Sequence, residues 1–157
     1  MTLKIISFSG EYRFLSNFYR APIMVMEEGK SYQYPSVEHA YQALKTFDYS
    51  EREFFRGDSV TAGQAKRKGR QVKIRSDWNN VKIDIMGQLI YLKFSSHSNL
   101  KEKLLATNNA ELIEGNTWGD SFWGMCPNEY GILTGQNNLG KILMNIRNGF
   151  KINELIG

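Results

Sequence analysis

Apolar and polar positions change their period several times along the chain, and each change marks an element. Residues 3–8 form an apolar run short enough for a strand. Residues 22–26 and 30–34 flank Glu27-Glu28-Gly29, a pattern that predicts a hairpin with glycine at a positive-φ position. From Pro35-Ser36 onward the period is helical, with Pro in the first turn or Ser36 as N-cap, and the helix is expected to end near residue 46 or 47. At about 100° per residue, Val37, Ala40, Tyr41, Leu44 and Phe47 share an arc predicted to face the core. Glu38, Gln42 and Lys45 fall together at the edge of that arc, because seven residues make nearly two turns. His39 and Thr46 are predicted to point towards solvent.

Further helices are predicted over 51–57, 60–69 and 77–95. Asp58 or Ser59 is expected to cap the second of these, and Ser76 or Asp77 the third. The 77–95 segment is apolar on much of its circumference, through Trp78, Val81, Ile83, Ile85, Met86, Leu89, Ile90 and Leu92, which predicts a largely buried helix. A helix over 98–106 capped by Ser98 and a short strand at Leu112-Ile113 follow. A last helix over 137–150 carries the stripe Leu139, Ile142, Leu143, Ile146 and Phe150. The reading is a mainly α chain of the α+β class. It predicts a single domain over 1–157, with about six helices and a small N-terminal antiparallel β element.

Composition narrows the picture. The 157 residues are 41% hydrophobic and 13% aromatic, enough for a core and too much for a disordered chain. No apolar run approaches the ~18–20 residues of a membrane span, and Met1 to Ser7 lack the apolar region of a signal peptide. A single Cys126 excludes an intramolecular disulfide or a Cys-rich zinc site and points to a reducing cytoplasm. The formal charge of +4 favours anionic ligands without requiring them. Its distribution says more: residues 66–75 hold six cations and no acid. That run is either a solvated helix face or a phosphate-binding edge. Residues 115–140 concentrate glycines with Trp118, Phe122, Trp123 and Tyr130, which suits either a ligand stacked on flat faces or a packed irregular loop.

Candidate chemistry narrows by elimination. His39 and His97 are the only histidines and belong to no metal-binding spacing. Cys126 has no histidine at useful spacing, and neither a Walker loop nor a dinucleotide fingerprint is present. A carboxylate site remains, with Glu38 and Lys45 on one helix as its local candidate.

Four blocks then occur in order: Phe14-Leu15-Ser16-Asn17-Phe18; Pro35-Ser36-Val37-Glu38-His39-Ala40-Tyr41-Gln42-Ala43-Leu44-Lys45; Ala65-Lys66-Arg67-Lys68-Gly69-Arg70; and Asp120-Ser121-Phe122-Trp123-Gly124 with Gly135-Gln136-Asn137-Asn138-Leu139-Gly140, Leu143-Met144 and Arg147. Over roughly residues 7–148 the chain resembles the YbiA-like family, also called NADAR for its association with NAD and ADP-ribose. The resemblance implies a mainly helical fold with a small β element. It also implies an N-glycosidase that cleaves a ribosyl C1–N bond; no cofactor, metal or obligate protein partner is expected. In some members the substrate is a phosphoribosylamino-pyrimidine of riboflavin synthesis, and in others ADP-ribose on guanine in nucleic acid.

Breaking a ribosyl C–N bond builds positive charge at C1 and needs a proton for the departing amine. Glu38 and Asp120 fit these roles by type. Lys45 suits either a Schiff-base nucleophile, if its amine is neutral, or a fixed cation orienting Glu38. Trp118 or Trp123 is expected to stack on the base, and Tyr41 and Gln42 to line the pocket. Asn17 and Asn137 suit ribose hydroxyls, and Arg67, Arg70 and Arg147 suit phosphate. Ser16 and Gly124 complete the expected substrate contacts. A non-catalytic ADP-ribose or nucleotide binder is the alternative, and two acids beside a lysine speak against it.

Overall fold

The structure, a computed structural model, describes residues 2–157. Met1, the first residue of the domain expected over 1–157, lies outside them. In chain order the described elements are β1 (Lys4–Ile5), a 3-10 turn (Gly10–Leu15), β2 (Ile23–Glu27), β3 (Lys30–Tyr34), α1 (Val37–Ala43) and α2 (Tyr49–Arg52). A second 3-10 turn (Glu53–Arg56), α3 (Ala62–Lys68), α4 (Trp78–Ser96) and α5 (Ser98–Leu105) follow. The chain ends with β4 (Glu111–Leu112), β5 (Cys126–Pro127), β6 (Leu133–Thr134) and α6 (Asn138–Ile156). Short strands and six α-helices among the described residues make an α+β fold, as expected. None of these helices is long and apolar enough to cross a membrane.

The chain divides into two compact units. One is Asn17–His97; the other combines the described part of Met1–Ser16 with Ser98–Gly157.

In the 17–97 unit, β2 and β3 form the expected hairpin in antiparallel register, Ile23 opposite Tyr34 and Glu27 opposite Lys30. Glu28 and Gly29 both have positive φ (48° and 79°), the two-residue turn whose twist matches that of the strands. Glu27 is buried at the strand end, although a carboxylate there would ordinarily seek water. It is held by three partners: an ion pair from Arg52, a second from Arg56 at 3.3 Å, and the Tyr34 hydroxyl donating at 2.7 Å. Burial and the hydrogen bond to Glu27 both raise the Tyr34 pKa, so the phenol stays a donor. This cluster ties the hairpin to α2 and the turn after it.

Helix α1 is shorter than the periodicity predicts. It stops at Ala43 because the chain turns at once into α2: Thr46 Oγ1 donates to Glu51 at 2.7 Å, Asp48 caps Ser50, and Arg52 Nε donates to the Thr46 carbonyl at 2.8 Å. These contacts bury Thr46 and leave Phe47 57% exposed under the Arg75 guanidinium, so both predicted orientations are reversed. His39 is likewise buried rather than solvent-facing, because β3, α3, α4 and the second 3-10 turn all pack on α1 and bury it all round. The expected 51–57 helix is α2 followed by a 3-10 turn. Helix α3 begins later than expected and is capped by Thr61 in a capping box with Gln64, not by Asp58 or Ser59. Asp77 stands at the start of α4, but its carboxylate pairs with Arg75 at 2.6 Å instead of capping. Helix α4 is one-sided rather than largely buried: Met86, Leu89, Ile90, Lys93 and Phe94 face inward, whereas Ile83 and Tyr91 are about half exposed.

In the other unit the predicted 3–8 strand contracts to β1, which pairs in parallel with β4. Ser98 is the first residue of α5 rather than its cap. Helix α6 runs on to Ile156, but its buried stripe ends at Phe150 and includes Arg147; Ile152, Leu155 and Ile156 beyond it are exposed.

Candidate active site

The polar trio of α1 occupies the first turn of the helix, its last turn and the turn that follows. Ser36 sets the start. Its hydroxyl accepts from the His39 amide at 3.3 Å and lies 2.7 Å from His39 Nδ1, while His39 Nε2 is 2.6 Å from the Val60 carbonyl. A neutral imidazole protonated on Nε2 satisfies both contacts. Burial lowers the His39 pKa and favours that form. The Glu38 amide donates to the Asn17 carbonyl at 3.2 Å, and the Asn17 side-chain amide meets Met86 Sδ at 3.4 Å. Asn17 therefore fastens the front of α1 to α4.

Glu38 is buried, and Gln42 Nε2 donates to its Oε1 at 2.7 Å, the i,i+4 contact that helix geometry allows. Gln42 Oε1 is itself buried with no hydrogen-bond partner. It presses on Gly69, where a Cβ would overlap it. Glycine at 69 is thus what leaves room for the amide that orients Glu38.

Lys45 lies in the turn after α1, with its ammonium 5.7 Å from the centre of the Tyr41 ring. Tyr41 leans on Trp78 at 5.0 Å between ring centres. The Lys45 carbonyl accepts from the Arg75 amide at 2.7 Å, which pins the turn. Burial lowers the Lys45 pKa most. Glu38 opposes the shift, and Arg70, Lys66 and Lys82 add to it. The basic run over 66–75 therefore has a local electrostatic effect: Lys66 on α3 and Arg70 just past it make the neutral amine of Lys45 more accessible.

The remaining expected residues fall into two groups. Within the 17–97 unit Arg70 is exposed on the Lys45 side. Arg67, one helical face away, lines a groove with Lys68. In the other unit Ser16 closes the first 3-10 turn, its amide donating to Arg13. Asp120 Oδ1 accepts from the amides of Phe122 and Trp123 at 3.2 and 2.9 Å. Trp118 is 64% exposed, and Trp123 stands edge-on to Phe122 at 4.9 Å. Gly124 is packed so closely that a Cβ would overlap the Glu114 carbonyl. Asn137 is buried in a left-handed conformation; it accepts from the Glu114 amide at 3.0 Å and donates to the Leu112 carbonyl at 2.9 Å. Arg147 is buried, donates to Thr107 at 2.9 Å, and its Nε has no partner. Among the described residues no cluster of three or more His, Cys, Asp or Glu is arranged to hold a metal.

Two residues escaped the sequence reading. Gly69 carries no side chain to signal its contact with Gln42. Lys93 is almost wholly buried on α4 near the rings of Tyr19 and Phe94, and burial pushes its pKa down to about 7. Its position three residues past Ile90, on the apolar stripe, was the available signal.

A helical α+β scaffold with a buried carboxylate, an amide that orients it and a lysine with a depressed pKa defines a class of small domain suited to acid–base or imine chemistry on a carbonyl-like carbon. The chain belongs to the NADAR domain family, whose model matches residues 7–151. It is 35% identical over 153 residues to N-glycosidase YbiA of Escherichia coli K12, an alignment that covers 97% of this chain and 90% of that protein. An N-glycosidase of Nostoc punctiforme is 36% identical over 116 residues, 71% of each chain. A riboflavin biosynthesis protein of Vibrio vulnificus is 35% identical over 136 residues, 85% of this chain and 34% of its own. The NMR structure of the E. coli protein YbiA superposes with a TM-score of 0.78 at 35% identity, covering 98% of this chain and 87% of that one.

Proposed function

We propose that this chain is an N-glycosidase that cleaves a ribosyl C1–N bond, acting in the cytoplasm, with Glu38 and Lys45 as its reacting groups. The observation that carries the reading is the lysine: an amine that interacts with Glu38, whose charge favours the ammonium, while burial first and then Arg70, Lys66 and Lys82 outweigh it and favour the neutral form. The relatives named as N-glycosidases and as a riboflavin biosynthesis protein support the reaction class.

In the proposed sequence the ring C1–O bond of the ribosylamine breaks, Glu38 giving the ring oxygen its proton, and C1 becomes an iminium. The Lys45 lone pair adds to C1, and the C1–N bond to the leaving amine then breaks. The departing nitrogen takes its proton through Glu38. A water adds to the lysine imine, with Glu38 accepting its proton, and the sugar leaves as the free aldehyde while Lys45 regains its amine. Gln42 keeps the carboxylate in one orientation throughout. Arg70 and Lys66 have a second use on this face, because a phosphate on the ribose would meet them as cations. The substrate class is a phosphoribosylamino-pyrimidine or an ADP-ribosyl base, the latter carried on nucleic acid. Asp120, with Oδ1 closing its loop, is assigned to shaping the Gly/Trp segment, and Asn137 and Gly124 to the same work.

Borohydride added during turnover tests the reading. Intact-mass analysis is expected to find a sugar adduct on the wild type and none on Lys45→Ala. Because the neutral amine is the nucleophile and its pKa is lowered, trapping should rise with pH and level off below the ordinary lysine value of 10.5. Turnover without an adduct at any pH would leave Lys45 as a fixed cation. Tight ligand binding with no base release would make the chain a binder.

A further inference from the structure

The six cations of residues 66–75 do not act as one patch. Lys66 and Arg70, four apart, both act on Lys45. Gln64, Arg67 and Lys68 recur at the i, i+3, i+4 spacing of another face of α3, and with Gln71 from the turn after the helix, Phe54 and Val60 they line an open groove of about 390 Å³. No acid lines the groove, and the neighbouring Asp58 is paired with Arg20 at 3.1 Å. Phe54 is an aromatic at the surface, 41% exposed, held edge-on against Phe55 at 5.5 Å with the Lys68 ammonium 5.6 Å from its centre. Gln64 Oε1 is committed to the Thr61 amide at 2.8 Å, so its NH₂ remains to donate outward.

We propose that this groove, formed by the outer face of α3 with Phe54 and Gln71, is a second binding site, one that takes a single nucleic-acid strand. A base stacks on Phe54, the backbone phosphates lie against Arg67 and Lys68, and the Gln64 and Gln71 amides meet base edges. The combination is the one that single-strand binders use: cations that track a backbone beside an aromatic that accepts any base. An acidic peptide would use the cations but gain little from a half-exposed ring between amides. The volume falls in the range of small-ligand sites, roughly 300–1,000 Å³, so it holds about one nucleotide of a strand passing through an open groove. This inference rests on the N-glycosidase reading only in that a substrate carried on nucleic acid gives the groove its use.

Fluorescence anisotropy with an unmodified oligothymidylate 12-mer, at two salt concentrations and with dTMP as competitor, tests it. The full-length wild type is expected to bind the strand, more weakly at higher salt. Phe54→Ala should lose about 5- to 100-fold. Lys68→Glu should lose about 10-fold or more and flatten the salt dependence. Gln71→Glu, an exposed change that removes no packing, should weaken binding in the same direction. Hydrolysis of a small N-glycoside without a strand should be unchanged in all three. Strand binding that survives all three substitutions overturns the proposal. So does dTMP competing as well as the 12-mer, or loss of small-substrate hydrolysis alongside strand binding. If the wild type cleaves no N-glycoside while strand binding still depends on Phe54 and Lys68, the N-glycosidase reading falls and the groove stands.

Discussion

Two buried carboxylates in the 17–97 unit show how burial can serve opposite ends. Glu27 is surrounded by opposite charge, with Arg52, Arg56 and the Tyr34 hydroxyl all on its two oxygens. Glu38 accepts from the uncharged amide of Gln42 and acts on the charge of Lys45, which burial disfavours. Two guanidinium groups and a phenol fix the Glu27 carboxylate in place, which suits it to holding a hairpin against α2. A carboxylate oriented by a neutral donor beside an amine can exchange protons as a reaction proceeds. The fold places one arrangement two residues before the β-turn glycine and the other at the start of a helix.

The largest expected contrast comes from making the same change at both. Glu38→Gln should lower turnover by about 10²- to 10⁴-fold while leaving the melting temperature near that of the wild type. Glu27→Gln should destabilise the protein by about 3–5 kcal/mol, because two arginines lose their buried countercharge, while the activity of the protein still folded is retained. Parallel denaturant melts and initial rates on both variants check this, and an equal effect on both quantities at both sites would erase the distinction. A smaller effect sharpens it. Gly69→Ala should cut turnover about 10-fold by driving its methyl into Gln42 and turning the amide off Glu38, at a cost of about 1–3 kcal/mol for overpacking. Gln42→Ala should cost a similar factor, and the double variant should be no worse than either single one. A double-mutant cycle reads this coupling, and additive losses would mean that Gly69 acts by another route. The smallest effect concerns a third carboxylate. Asp120→Asn keeps the oxygen that accepts from Phe122 and Trp123, so stability should change by less than about 0.5 kcal/mol and turnover less than threefold. Asp120→Ala removes the acceptor and should lower the melting temperature. A collapse of turnover in Asp120→Asn would restore it as the second acid.

What the sequence made legible was local. The i,i+4 spacing set Gln42 against Glu38 on α1, whereas Lys45 reaches Glu38 from the turn beyond the helix and not from the predicted i,i+7 position, and the hairpin, with Gly29 in its turn, followed from strand patterning. The end of α1 was missed because it depends on Thr46, Asp48, Glu51 and Arg52 closing a turn, a set of hydrogen bonds that apolar periodicity does not register. The Glu27 cluster was missed for a related reason: its partners come from 25 and 29 residues away. Asn137 and Arg147 look like ligand-binding polar residues by type. Both are buried, Asn137 bridging backbone groups near β4 and Arg147 donating to Thr107, contacts with residues 23 to 40 positions away that local patterning does not register.

The parallel pairing of β1 with β4 has a bearing on how the molecule is made. The first strand must wait for residues more than a hundred positions later in the chain, whereas everything that composes the 17–97 unit is contiguous. During synthesis from the N-terminus the central unit, with its Glu38–Lys45 pair, can complete itself while the ribosome is still working through the last third. The opening strand has no ladder to join until residues 111 and 112 have emerged.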